Sequence, residues 1–105
     1  MSRKIHVLIK DPGKKPRSVN ISNTLANLQK TVGGFIETVT ITQDCVIICN
    51  EEGRYKGLPW NCEICGVNFV GTIIICGVAG DEFADLPLSY HDIKRVMPHL
   101  WEERK

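Results

Sequence analysis

Between Arg3 and Lys10, Ile5, Val7 and Ile9 share one side of an extended run rich in branched residues, the pattern of a strand. Pro12, Gly13 and Pro16 then predict a turn over Asp11–Arg17, and Ser18–Ile21 a returning strand, so the chain opens on a hairpin. The period lengthens next. Leu25, Leu28 and Val32 fall on one helical stripe, Ser22 or Asn23 stands where a cap belongs, and Gly33 where a helix C-terminal glycine belongs. Phe35–Thr42 and Cys45–Asn50 read as two strands joined at Gln43 and Asp44, and Glu51–Asn61 as a loop. The run Phe69–Gly77 is apolar on both faces, as a central strand is. Val78–Leu88 reads as irregular. Ser89–Lys105 reads as a closing helix with a Ser89/Asp92 capping box and an Ile93, Val96, Leu100 stripe, kinked or ended at Pro98. This order predicts an α+β fold, a mostly antiparallel sheet with two helices, as a single domain over residues 1–105.

Charge and composition narrow the partners. Thirteen Lys and Arg against twelve Asp and Glu give a net charge of +1, which argues against a nucleic-acid partner because such a surface needs clustered positive charge. With neither a signal-peptide pattern nor a long apolar span, the expectation is a cytoplasmic protein with no membrane partner.

The five cysteines raise the question of metal. Cys45, Cys49, Cys62 and Cys65 resemble a four-thiolate set on paper. In a strand, however, Cys45 and Cys49 share a face with Ile47 between them, their Cβ atoms about 13 Å apart at ~3.3 Å per residue. Two ligands of one zinc each lie ~2.3 Å from it, so the expectation is no metal and no cofactor. Reduced, mostly buried thiols fit better, with Cys62 and Cys65 a partly exposed pair in a loop.

The candidate site lies just before that pair. In "ICNEEGRYKGLPWN" an apolar strand ends abruptly in Asn50, Glu51, Glu52 and Gly53. Polar residues at the end of a rigid strand, followed by turns, are a common way to place a site. Asn50 and Asn61 offer donors and acceptors, Glu51 accepts from hydroxyls or base edges, Arg54 and Lys56 meet anions, and Tyr55 and Trp60 stack on flat rings. Gly33, Gly34, Pro59 and Thr72 complete the set, since glycine turns let a backbone come close to a ligand. A plain turn explains the same residues.

The motifs Val32-Gly33-Gly34, Asn50-Glu51-Glu52-Gly53, Gly57-Leu58-Pro59-Trp60-Asn61 and Gly71-Thr72 to Gly77 resemble a family of small proteins of unknown function from bacteriophages, plasmids and the Gram-positive and related bacteria that host them. The resemblance spans Ile5 to Gly77, and Cys62 and Cys65 depart from it. It implies a mobile-element setting and no established activity. Small phage proteins of that setting often bind something the host needs, and one class sequesters nucleotide messengers of host defence. The leading expectation is therefore a non-enzymatic, small-molecule-binding homo-oligomer whose ligand is of nucleotide type. An interaction module that inhibits or modulates a host protein is the alternative, served by an exposed sheet edge or by the Tyr90 and Trp101 end. His6, His91 and His99 have no nucleophile beside them in sequence, which places an enzyme lower.

Overall fold

The computed structural model describes residues 3–102. Eight strands and two α-helices follow in order: β1 (Lys4–Lys10), β2 (Arg17–Ser22), α1 (Leu25–Val32), β3 (Ile36–Thr42), β4 (Cys45–Asn50), β5 (Trp60–Ile64), β6 (Val67–Val70), β7 (Ile73–Ala79), β8 (Glu82–Ala84) and α2 (Tyr90–Val96), then a 3-10 turn at Pro98–Trp101. The main sheet runs β2-β1-β7-β4-β3, every pairing antiparallel, and β5-β6 form a separate two-stranded ribbon. The architecture is α+β, as the order of elements predicts.

Alternation along the central strands supplies two cores. Leu8, Ile47, Ile73 and Ile75 face one way, onto Ile64 and Phe69 of the ribbon and onto Ile93, Leu100 and Trp101. Ile5, Val7, Ile48, Ile74 and Cys76 face the other, onto Leu28 and Val32 of α1. The sheet is thus covered by α1 on one side and by the ribbon with α2 on the other. That is why β4 is buried along its whole length. Along the main path of the sheet, the outer edges of β2 and β3 are left without a neighbouring strand among the described residues.

Several boundaries differ from the sequence expectation. The cap of α1 is Thr24, whose hydroxyl accepts from the Asn27 N–H at 3.2 Å, and Leu25 is 59% exposed, so the buried stripe is Leu28 and Val32. Gly33 ends the helix as expected, at φ 82° with its N–H on Gln29 O. The apolar run from Phe69 is two strands, because Gly71 turns the chain at φ 71° between β6 and β7. Cys62 and Cys65 are in a hairpin: Cys62 is buried in β5, and Cys65-Gly66 form its two-residue turn at φ 51° and 81°. Both angles positive is the type I′ signature, whose twist matches the flanking strands.

The region expected to be irregular contains β8, which pairs with the outer end of β7 where β1 has moved away. The chain after β8 closes that gap, with the His6 N–H on Asp85 Oδ1 at 2.7 Å and the Leu86 N–H on His6 O at 2.8 Å. Gly77 is required there, since a Cβ would sit on the Asp85 carbonyl oxygen. Ser89 caps α2 through the Asp92 N–H, Pro98 ends it, and Val96 is exposed instead of joining Ile93 and Leu100 inside. Trp101 is likewise buried, its ring nitrogen donating to Tyr90 Oη at 2.8 Å, so it is not a free docking residue. The expected helical end at 103–105 lies outside the described residues. No helix among the described residues is long and apolar enough to cross a membrane.

Candidate functional site

Where β4 ends, the chain turns through Glu51–Gly57 before entering the ribbon, and the ribbon leans over the β3-β4 side of the sheet. The gap between them is a cleft of about 200 Å³. Its polar lining is Glu37, Glu51, Arg54 and Asn68, and its apolar lining includes Cys49 and Phe69. Arg54 is fixed by a hydrogen bond to Asn68 O at 2.6 Å. The Cys49 thiol is pushed up by burial and by the Glu37 charge, with Arg54 opposing, so this sulfur stays protonated at neutral pH.

Three of the eleven candidate residues meet at this cleft: Asn50, Glu51 and Arg54. Asn50 lines the cleft, but its amide is already committed to main-chain groups. Nδ2 donates to Val32 O at 3.2 Å and Oδ1 accepts from the Glu52 N–H at 2.8 Å. Gly34 passes so close that a Cβ would lie 2.9 Å from Asn50 Nδ2. Gly33 and Gly34 therefore belong to a latch between α1 and β4, with the Glu51 N–H on Phe35 O at 2.8 Å as its second tie. Tyr55 stands 88% exposed on the outer turn, and Lys56 lies 3.7 Å from Glu52.

Asn61 and Thr72 belong to a second polar cluster, with Lys10 and Asp11, outside the cleft lining. Asn61 is 3% exposed; Oδ1 accepts from Lys10 Nζ at 2.8 Å while Nδ2 donates to Lys10 O at 2.8 Å and Gly71 O at 2.7 Å. Burial lowers the Lys10 pKa, with the Cys62 and Asp11 charges opposing. Thr72 Oγ1 donates to Asp11 Oδ1 at 2.6 Å, and Arg17 bonds the other carboxylate oxygen. The Thr72 bond, ahead of Arg17, holds the Asp11 carboxyl below its ordinary value against the cost of its burial. Pro59 O accepts from the Gly71 N–H, and Trp60 Nε1 donates to Asn68 Oδ1 at 3.0 Å, tying both to the ribbon.

Glu37 and Asn68 are cleft residues that the sequence reading did not select, as are Lys10 and Asp11 in the second cluster. Each sits inside or beside a strand that pattern alone marks as structural. Only the alternation of β3, which sets Glu37 beside Cys49 on the ribbon side, signalled one of them.

The family model for a domain of unknown function, DUF3846, matches residues 5–97. The chain belongs to this family. The DUF3846 match takes in the whole cleft, from Glu37 to Val70, and the second polar cluster. No curated protein and no solved structure matches the chain.

Proposed function

We propose that this chain is a non-enzymatic binding protein whose cleft between β4 and the ribbon takes a small polar molecule of nucleotide type. The observation that carries this reading is the cleft's mixed lining, with the Arg54 guanidinium and the Glu37 and Glu51 carboxylates around apolar Cys49 and Phe69. A guanidinium meets a phosphate, carboxylates accept from ribose hydroxyls or an exocyclic amine, and the apolar lining shelters a flat ring. At about 200 Å³ the cleft is smaller than the ~300–1,000 Å³ of drug-sized sites, so one chain accommodates a nucleoside-sized part of a ligand.

Binding without turnover fits the side chains present. Cys49 is held as a thiol by burial, and the His6 ring is engaged by Ser18 at 3.0 Å and Asn20 at 3.2 Å. The resemblance of the latch and strand-end motifs to phage and plasmid proteins suggests the setting: sequestering a host-defence nucleotide signal in the bacterial cytoplasm.

Thermal melting against a panel of mononucleotides, cyclic nucleotides and ADP-ribose tests the reading. A ligand that binds only the folded chain raises its stability by about 2.7 kcal/mol at a hundred times Kd. The expected result is a raised melting temperature with at least one nucleotide, lost in Arg54→Ala, whose own melting temperature stays near wild type. Absence of any shift across the panel contradicts the nucleotide reading, and the interaction-module alternative then takes its place.

A further inference from the structure

We infer that β3 is the pairing edge of a two-fold symmetric dimer, and that the second copy closes the open side of the cleft. The main sheet ends in β2 on one side and β3 on the other. An unpaired edge presents free N–H and C=O groups, and proteins guard such edges with Lys, Pro or distortion. The β2 edge is guarded: Pro16 precedes it, Arg17 begins it, and Lys14 and Lys15 lie in the turn before it. In contrast, β3 reads Ile-Glu-Thr-Val-Thr-Ile-Thr, with neither Pro nor Lys, and its bulge lies at the far end between Thr40 and Thr42.

The hydrogen-bond phase of β3 shows which groups face outward. The Glu51 N–H bonds Phe35 O, one step outside the Ile36–Asn50 pair, so Ile36 and Asn50 are a non-hydrogen-bonded pair. Counting along the antiparallel ladder, Glu37 and Val39 bond to β4, while the N–H and C=O of Ile36, Thr38 and Thr40 point to the open edge.

A second copy fits this edge in antiparallel register about Val39. Thr38 and Thr40 then exchange main-chain hydrogen bonds with Thr40 and Thr38 of the second copy. The two Val39 residues meet as a close non-hydrogen-bonded pair, with Cα atoms about 4.5 Å apart. The one charge on the strand, Glu37, falls opposite Ile41, and the two Glu37 carboxylates are separated by four residues, about 13 Å along the strand. Centring one residue earlier halves that separation and brings like charges together, and centring one residue later draws Thr42, beyond the bulge, into the pairing, so Val39 is the favoured centre. Glu37 and Val39 line the cleft. Ile41 of the second copy therefore comes to stand beside Glu37 at its open side. This last step rests on the cleft being the binding site; the dimer itself does not.

Sedimentation velocity over a range up to tens of micromolar, with far-UV circular dichroism as a check on folding, is the test. The wild-type chain is expected to run as a dimer. Thr38→Pro removes an N–H that faces outward and so leaves the β4 ladder whole, and it is expected to give a folded monomer. T38K/T40K sets lysine against lysine at exposed positions on the α1 side, away from the cleft, and is expected to do the same whether or not the proline variant folds. Mixing T38K/T40K with T38E/T40E chains restores the dimer mass, because each introduced lysine then faces a glutamate. Arg54→Ala keeps the dimer mass whatever it does to ligand binding, so the two readings fail separately. A wild-type chain that stays monomeric, or a dimer that persists in T38K/T40K, overturns the inference.

Discussion

At the scale of single residues, hydrogen-bond accounting separates scaffold from site. Asn61 satisfies Lys10 Nζ and two carbonyls at once, in a place water does not reach. Truncating it strands a buried ammonium and two acceptors. Asn61→Ala is expected to cost about 3 kcal/mol in denaturant melts, since a buried polar group left unpaired costs ~1–3 kcal/mol and a charged one more. Asn50→Ala is expected to cost about 1–3 kcal/mol for the same reason, because it opens the latch to Val32. A loss below a few tenths of a kcal/mol in both would show that neither amide supports the fold. Asp11 carries a pH signature. Its folded pKa is held below the ordinary 3.8, by Thr72 first and Arg17 after, so its stabilisation is present above 3.8 and is lost as pH falls through the lowered value. Thr72→Val removes the largest favourable cause, and the acid limb of a stability-against-pH curve is expected to flatten; an unchanged limb would assign the effect to other carboxylates.

At the scale of elements, the hairpin β5-β6 shows what pattern reading conceals. Its sequence, Trp60 to Val70, contains Cys62 and Cys65 at knuckle spacing, which draws attention to metal chemistry. The same spacing places Cys62 inside and Cys65 on a two-residue turn. The usual cue for that turn is Asn-Gly, and Cys-Gly carries only half of it. Cys65 at φ 51° is therefore a strained choice. Cys65→Asn is expected to raise stability by roughly 0.5–1 kcal/mol by relieving left-handed strain of ~1–2 kcal/mol; a loss of stability would mean the thiol itself makes a contact that matters. By contrast α1 was legible, because Leu28, Val32 and the terminal Gly33 are local signals that tertiary structure did not override. The β4 strand was legible for the same reason. β8 was not: three residues, Glu82 to Ala84, are too short for periodicity, and they are strand only because β1 leaves β7 after the Leu8–Ile75 pair and frees Gly77–Ala79 for another partner. The sequence reading ends the strand at Gly77, whereas β7 runs on to Ala79, and the crossing of the Asp85 segment at Gly77 was not legible, since close approach leaves no local mark.

For the molecule as a whole, two covered faces and two open edges organise what the chain can do. The sheet spends its apolar residues on α1 and on the ribbon, and the ribbon's lean over β3-β4 creates the cleft. The candidate site was legible at its strand end, Asn50 to Arg54, where polar residues interrupt an apolar run. It was not legible at Glu37 and Asn68, which reach the cleft from strands distant in sequence. The measurement that tests the binding reading most directly is native mass spectrometry of freshly purified wild-type chain beside Arg54→Ala. The account predicts wild-type protein carrying an added mass in the nucleotide range, absent from the Arg54→Ala protein at equal folding. Wild-type protein that binds no nucleotide even when mixed with the panel before spraying, or an added mass retained equally by Arg54→Ala, would contradict it.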